Sequence, residues 1–252
     1  MRNKIKNFAR EIGIEECGFC KIDGKTYLVC LFPYYVKSEE GNISIYARGR
    51  DYHLVVREKL EKINEFLGQK GEILADIGEQ NDREAGFLAG LGFYGKNGLL
   101  INPRLGTYFF IGQLEIKADI SPDSPLEESC MNCGACEKSC PGGAIGECFN
   151  ISNCASEISQ KKGELTETEI EILKKSGLIW GCDICQSVCP HNKGLETTAM
   201  AEFITDRIAV FKDFDLSNRE FLKKYKDRAF SWRGLSPIKR NAELLGVKNE
   251  EK

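Results

Sequence analysis

The sequence predicts an α/β domain followed by a ferredoxin-like, cysteine-rich module and a short helical C-terminal segment. Three observations lead there. Short apolar runs alternate with amphipathic stretches over the first half of the chain, cysteines gather in two runs at 130–140 and 182–189, and helix-start signals resume at Ser217 and Ser236. The expected divisions are residues 1–124, 125–195 and 196–252.

Taken in order, residues 2–12 place Ile5, Phe8, Ala9 and Ile12 at helical spacing, and Gly13 ends the pattern. Residues 27–32, Y-L-V-C-L-F, form an unbroken apolar run closed by Pro33, which reads as a buried strand. Cys17, Cys20 and Cys30 fall around it. The C-x2-C spacing of the first two invites a redox or metal reading, but no second pair waits for them and free cysteine is commonly a core residue. Cys148 is spare in the same way.

Residues 46–53, Y-A-R-G-R-D-Y-H, open a helix carrying Val56, Leu60, Ile63 and Leu67 on one face. Arg48, Arg50, Tyr52 and His53 crowd its N-terminus, where backbone donors suit anions and polar cofactor groups, or where these side chains simply cap and solvate the helix end. Residues 72–76 read as a buried strand ending in Asp76, followed by a turn at Gly78 and a cap formed by Asn81 and Glu84. Such an acid is placed for a pocket, or serves as a turn residue. Residues 89–98 hold Gly90, Gly92, Gly95 and Gly98, a density that implies close backbone approach, with Lys96 and Asn97 as its polar groups. Strands at 99–101 and 107–116 complete the domain.

After S-P-D-S-P at 121–125 comes C-M-N-C-G-A-C-E-K-S-C-P, a C-x2-C-x2-C-x3-C-P run of the kind that holds [4Fe-4S] clusters in bacterial ferredoxins, with the fourth thiolate serving a second cluster. The second run, G-C-D-I-C-Q-S-V-C-P, is one thiolate short, and Cys154 between them is the natural donor. The crossing rule assigns Cys130, Cys133, Cys136 and Cys189 to one cluster, and Cys140, Cys154, Cys182 and Cys185 to the other. A pair of zinc ribbons would share the C-x2-C pairs but does not account for two C-x3-C-P endings. Between the runs a helix over 166–176 carries a Thr166/Glu169 capping box and stops at Gly177, placed to pack over the clusters. Ser217 with Glu220 starts a further helix, and Ser236 with Pro237 another that stops at Gly246; residues 247–252 are expected to fray.

The 252 residues carry a net charge of -3 and twelve cysteines, with no apolar signal region at the N-terminus and no uncharged run near the ~18 residues of a membrane span. A soluble protein of the reducing cytoplasm, using thiols for metal, is expected. From Arg219 to Arg240 eight Lys or Arg face two acids, a local polyanion site or a solvated helix face. Arg233, Lys239 and Arg240 lie beside Trp232, a combination that suits phosphates and unstacked bases, though Trp232 equally suits a core.

Together Y-A-R-G-R-D-Y-H, A-D-I-G-E-Q-N-D-R-E-A-G-F-L-A-G-L-G-F-Y-G-K-N, the cluster runs, W-G-C-D-I-C-Q-S-V-C-P-H-N-K-G, L-S-N-R-E-F and S-W-R-G-L-S-P-I-K-R-N-A resemble the epoxyqueuosine reductase family, iron-sulfur and cobalamin-dependent enzymes of the last step of queuosine synthesis on tRNA. The resemblance implies an α/β cobalamin-binding domain, two [4Fe-4S] clusters, and conversion of epoxyqueuosine to queuosine in tRNA. It implies that Asp76 is the proton donor, and that Tyr52, His53, Lys96, Asn97 and Asp183, with Cys182, line the corrin pocket. It further implies that Arg233, Lys239 and Arg240 face the tRNA anticodon arm, and that an external low-potential donor such as a flavodoxin or ferredoxin supplies electrons. The chain departs from the family where it has only a short stretch between its first helix and first strands, and where it stops after R-N-A instead of continuing into helical repeats. Removal of the epoxide oxygen as water needs two electrons and two protons; clusters pass electrons singly to the corrin, and Asp76 must be protonated, hence in a desolvated pocket. Two other classes fit the same motifs less fully, a corrinoid reductase of a small molecule and a two-cluster electron carrier without catalysis.

Overall fold

Seven consecutive buried positions follow Lys25, a pattern that a strand covered on both faces satisfies. In the computed structural model, which describes residues 1–37, 40–76 and 81–247, this run is the centre of the first domain. The elements of the first half are α1 (Arg2–Glu11), β1 (Glu16–Ile22), β2 (Lys25–Pro33), α2 (Tyr52–Leu67), β3 (Ile73–Leu74), α3 (Asp82–Leu88), β4 (Phe93–Tyr94), β5 (Leu100–Ile101) and β6 (Phe109–Ile116). The second half is helical: α4 (Ala135–Ser139), α5 (Ala155–Gln160), α6 (Glu167–Ser176), α7 (Ile184–Ser187), α8 (Ala201–Ile204), α9 (Asn218–Lys224) and α10 (Leu235–Leu245).

Four strands pair in the order β1-β2-β6-β3, antiparallel at every ladder, and β4 with β5 makes a separate hairpin. Helices α1 and α2 cover one face, where Ile5, Ala9, Val56 and Leu60 pack on Leu28, Cys30 and Phe32. Helix α3 and the hairpin cover the other, where Ala85, Ala89 and Leu100 meet Val29 and Leu31. The alternation of apolar run and helix thus identifies an α/β layer domain, while strand direction follows from the short β1–β2 connection, which only an antiparallel pair permits.

Three local expectations change. Strand β1 carries no strong alternation in E-C-G-F-C-K-I and becomes a strand because β2 offers it a ladder. The run at 72–76 pairs only at Ile73 and Leu74. Beyond it the backbone N–H of Asp76 donates to Asp82 Oδ2 (2.9 Å) and Asp76 adopts φ +54°, so the chain turns away before the acid. Helix α10 starts two residues early, with Gly234 rather than Ser236 at the cap and Leu235 as its first residue, leaving Pro237 in the first turn where its missing N–H costs nothing. The turn at Gly78 and the chain beyond residue 247 lie outside the described residues.

Caps read from the sequence form as residue chemistry dictates: Thr166/Glu169 and Ser217/Glu220 make reciprocal capping boxes, and Gly177 and Gly246 close their helices in the left-handed region. The structure adds Asp51, which takes the N–H of His53 at the start of α2, and Gly68, which closes that helix in the left-handed region. The glycine density at 90–98 serves backbone packing. Gly90 has φ +68°, and a Cβ there would lie 2.3 Å from the carbonyl oxygen of Ser124, in the segment entering the cluster module.

The C-terminal segment shares a core with residues before the clusters and between the two cysteine runs. Phe211, Phe214, Phe221, Tyr225 and Phe230 pack with Ile43, Ala47, Ile179 and Trp180. Asn241, fully buried on α10, donates to the carbonyls of Ser159 (2.8 Å) and Ile179 (2.8 Å), tying the helix to both ends of the segment that joins the two cysteine runs. Asn241→Leu leaves two buried acceptors unmet, each about 1–3 kcal/mol, and should lower the thermal midpoint by roughly 4–24 °C. Circular dichroism melting measures this; an unchanged midpoint would show that the carbonyls find other donors. No helix among the described residues is long and apolar enough to cross a membrane.

Candidate functional site

The two cysteine runs face each other across short helices, because α4 and α7 pack together as the C-x2-C steps turn. Two cavities result. Cys130, Cys133, Cys136 and Cys189 line the first with Pro190 and His191; Cys140, Cys154, Cys182 and Cys185 line the second, of about 260 Å³. The last cysteine of each run therefore crosses to the other cage, and Cys154 stands with the second, while Cys148 is exposed and lines neither.

The donor set fits [4Fe-4S] clusters. Four cysteines line each cavity, the number of thiolates that a [4Fe-4S] cluster takes. Burial pushes Cys182 up to about 11 and Cys185 up to about 12 as free thiols, so their thiolates need metal charge for company. Asn97 lines both cavities; its Oδ1 accepts from Leu99 N–H (3.2 Å), and its buried Nδ2 has no partner among the described residues.

The second cavity is closed by the α/β domain. Tyr46, Arg83, Asn97 and Leu99 form that wall, opposite Ile145 and Phe149. Tyr46 is fixed by the indole N–H of Trp180, which donates to its hydroxyl at 2.9 Å, and Arg83 by the carbonyl of Gly98 (2.7 Å). Gly181, at φ +73°, lets the W-G-C-D segment pass Ser44 and Tyr46; a Cβ there would lie 2.4 Å from Ser44 Cβ. Asp183 accepts from Ser44 Oγ (2.5 Å) and from Ile45 N–H (2.8 Å), so it clamps this turn from beneath and lines none of the described cavities. Burial raises its carboxyl pKa despite those donors and Arg48.

Beside Tyr46 lies a polar cluster at the start of α2. The Tyr52 hydroxyl donates to Asp76 Oδ2 (2.5 Å), and the Tyr52 ring stacks between His53 and Phe110 at centroid distances of 4.0 and 4.1 Å. His53 places Nδ1 2.9 Å from Asp51 Oδ1 and Nε2 3.9 Å from Asp76 Oδ2. Burial pulls His53 down, but the Asp51 hydrogen bond and the charges of Asp51 and Asp76 outweigh it, and its pKa ends above the ordinary histidine value. Burial, then the Asp76 charge and hydrogen bond, hold the Tyr52 hydroxyl protonated. Tyr46 of the cavity wall and Tyr52 of the polar cluster pack against the same apolar core, which sets the cluster beside the wall. Among the described residues no desolvated pocket of the expected kind surrounds Asp76, whose side chain is 67% exposed.

Lys96 faces the first cavity, not the second, and pairs with Glu137 of α4 at 2.5 Å. At the C-terminal segment Trp232 is 59% exposed, and the Arg233 guanidinium lies 3.7 Å from its ring centroid. Lys239 is half-buried. Arg240 instead spends its guanidinium on the carbonyls of Lys161 (2.8 Å) and Gly163 (2.6 Å). Sequence reading passed over Tyr46, Arg83, Gln186 and His191. Gln186 lines the second cavity with its amide held by Thr107, and His191 lines the first with its Nε2 buried and unpartnered among the described residues. All four stand inside the quoted motifs, yet nothing in spacing alone separates them from their neighbours.

Residues 129–192 match the family model described as a 4Fe-4S double cluster binding domain, and residues 23–77 that described as epoxyqueuosine reductase QueG. The epoxyqueuosine reductase of Lactococcus garvieae is 36% identical over 250 residues, covering 90% of this chain and 70% of that protein. That of Bacillus subtilis is 39% identical over 209 residues, covering 78% and 53%. The chain thus spans about half the length of several curated relatives it matches. Among solved structures, an epoxyqueuosine reductase with an epoxyqueuosine-modified tRNA-Tyr stem loop superposes with a TM-score of 0.85 at 28% identity, over 97% of this chain and 80% of that one. A Bacillus subtilis structure with its catalytic aspartate loop swung out of the active site matches equally, at 27%. A catabolic reductive dehalogenase, at 16% identity and a TM-score of 0.54, shares the fold.

Proposed function

The chain belongs to the epoxyqueuosine reductase family, and from that membership we propose that it reduces epoxyqueuosine to queuosine in tRNA, using two [4Fe-4S] clusters and cobalamin. One observation carries the reading: the second four-cysteine cage opens onto a wall, Tyr46, Arg83, Asn97 and Leu99, whose Tyr46 packs on the same core as Tyr52 of the Tyr52–Asp76–His53 cluster. An electron terminus and a proton source therefore meet at one site. The wall mixes ring and aliphatic carbon with amide and guanidinium groups, and Asn97 Nδ2 is left over, a lining that suits a flat macrocycle edged with carboxamides. Cobalamin held there would supply a low-potential cobalt that takes electrons singly and delivers them to substrate as a pair.

The chain's own residues do the rest. Asp76 holds the proton for the departing epoxide oxygen. Tyr52, protonated at any working pH, orients the carboxyl through its 2.5 Å hydrogen bond, and His53, its pKa raised, is a second donor beside Asp76. Because Asp76 is open to solvent in the free protein, bound substrate provides the cover that keeps water off the reacting epoxide. Lys96 is better placed to hold the Gly-rich loop against α4 than to touch the corrin. Trp232 with Arg233 offers a base-stacking and phosphate-binding platform to the anticodon arm, with Lys239 nearby, while Arg240 braces the platform from behind. Electrons come from an external low-potential carrier, a flavodoxin or ferredoxin, in the cytoplasm, where tRNA and reduced thiols coexist. The divisions 1–124, 125–195 and 196–252 then correspond to chemistry, electron supply and substrate holding.

The test is anaerobic reconstitution with iron, sulfide and cobalamin, addition of a low-potential reductant and tRNA carrying epoxyqueuosine, and nucleoside analysis. Queuosine is the expected product; its absence with both cofactors loaded would refute the proposal. Arg233→Ala is expected to weaken tRNA binding and to reduce the slope of log affinity against log salt by about 1. Fluorescence anisotropy at several salt concentrations reads this, and an unaltered slope would remove Arg233 from the interface.

A further inference from the structure

Strand β1 lies at the sheet edge, and its Phe19 turns both backbone groups outward: its N–H donates to Asp123 Oδ2 (2.8 Å) and its carbonyl accepts from Asp123 N–H (2.8 Å). Phe19 and its β2 partner Leu28 are therefore a non-hydrogen-bonded pair. Two residues along, Cys17 and Cys30 are directly opposite in the same register and inherit that geometry. Non-hydrogen-bonded antiparallel partners stand about 4.5 Å apart at Cα, with side chains on one face and inclined together, inside the roughly 4.4–6.8 Å a disulfide spans. Cys20, three residues on, projects from the opposite face into the α3 core, so the C-x2-C spacing is not the pair that meets.

We infer that Cys17 and Cys30 are a peroxide-reactive dithiol that closes to a cross-strand disulfide, Cys17 attacking and Cys30 resolving. The two sulfurs differ in the way this division requires. Cys17 is half-buried, within the field of Lys6 and Arg10 of α1, whereas Cys30 is fully buried. The thiol–thiol hydrogen bond, opposed by burial and the Glu16 charge and aided by Lys6 and Arg10, sets Cys17 below the ordinary thiol range, while burial pushes Cys30 well above it. A low-pKa, reachable sulfur with a neighbouring resolving thiol is the arrangement of redox-sensing pairs.

The chemistry balances with hydrogen peroxide as oxidant. The Cys17 thiolate attacks one peroxide oxygen, the O–O bond breaks, and hydroxide leaves and takes a proton as water; Cys17 is now a sulfenic acid. The Cys30 thiol attacks that sulfur, the S–O bond breaks, and a second water leaves with the Cys30 proton. Two thiols have lost two electrons and one peroxide has gained them. The bond pins β1 to β2 at the edge where Asp123 anchors the segment leading to the clusters. This site is independent of the reductase reading.

The holoprotein, kept anaerobic, is titrated with hydrogen peroxide until cluster absorbance falls, alkylated, digested and mapped by mass spectrometry at each step. A Cys17–Cys30 linked peptide, two hydrogens lighter than the free pair and reopened by dithiothreitol, should accumulate before the clusters are lost. In Cys30→Ser the Cys17 sulfenic acid should persist and be trapped by dimedone; in Cys17→Ser, Cys30 should stay a free thiol. Recovery of both cysteines as free thiols when cluster absorbance has gone, or linkage of Cys17 to any other cysteine, overturns the inference. The wild-type map decides this even where a variant fails to fold.

Discussion

Asp76→Asn should lower turnover by about 10²- to 10⁴-fold, the span that general acid catalysis commonly contributes, while iron content, cobalamin binding and tRNA affinity remain as in the parent protein. The amide keeps the size of the carboxyl and can still accept from Tyr52, whose hydroxyl now lies 2.5 Å from Asp76 Oδ2. What it loses is a transferable proton. Because the side chain is 67% exposed and sits where β3 has already ended, the change disturbs no packing, so a loss of rate reports on chemistry and not on folding. Single-turnover nucleoside analysis under anaerobic conditions measures the rate; parental turnover in this variant would end the proton-donor assignment. Tyr52→Phe offers the graded comparison. It removes the hydrogen bond that aims the carboxyl but leaves the acid in place, so its loss should be smaller than that of Asp76→Asn.

The site divides sharply into what sequence could and could not reveal. Ligand spacing made the cysteine cages readable, since C-x2-C steps and the C-x3-C-P ending are geometric statements about thiolates on a cubane. Helix caps were equally readable, as at Thr166 and Ser217, because they depend on neighbours three residues away. The side chains that close the second cavity were not: Tyr46 earns its position from Trp180, 134 residues distant, and Asp183 from Ser44, 139 residues distant. Arg240 shows the converse error. Its place in a basic run implied a phosphate contact, but two backbone carbonyls from the α5–α6 connection had already claimed it. Charge counts describe a segment, whereas hydrogen bonds decide which cations remain available. Strand β1 was missed for a related reason, since an edge strand takes its order from the ladder with β2.

The crossing of cysteines between cages makes a prediction that no uncrossed arrangement shares. If Cys140 and Cys154 both serve the second cluster, the double variant Cys140→Ala/Cys154→Ala should lose that cluster alone and keep about four of some eight irons per chain. In an uncrossed pairing Cys140 would belong with Cys130, Cys133 and Cys136, and Cys154 with Cys182, Cys185 and Cys189. The same double variant would then strip one ligand from each cluster and leave both unstable. Cys130→Ala/Cys189→Ala is the mirror test and should likewise spare one cluster. Iron analysis with electron paramagnetic resonance distinguishes the cases, since a single surviving cluster gives a signal free of coupling to a neighbour. Loss of both clusters from either double variant would refute the crossing. Under the proposed function the two variants differ in consequence: the second cage adjoins the Tyr46 and Arg83 wall, so losing it should break the electron path at its last step. Turnover should fall below detection in Cys140→Ala/Cys154→Ala even with a strong chemical reductant. The mirror variant keeps the terminal cluster and should recover measurable turnover with such a reductant, because only the entry cluster is gone.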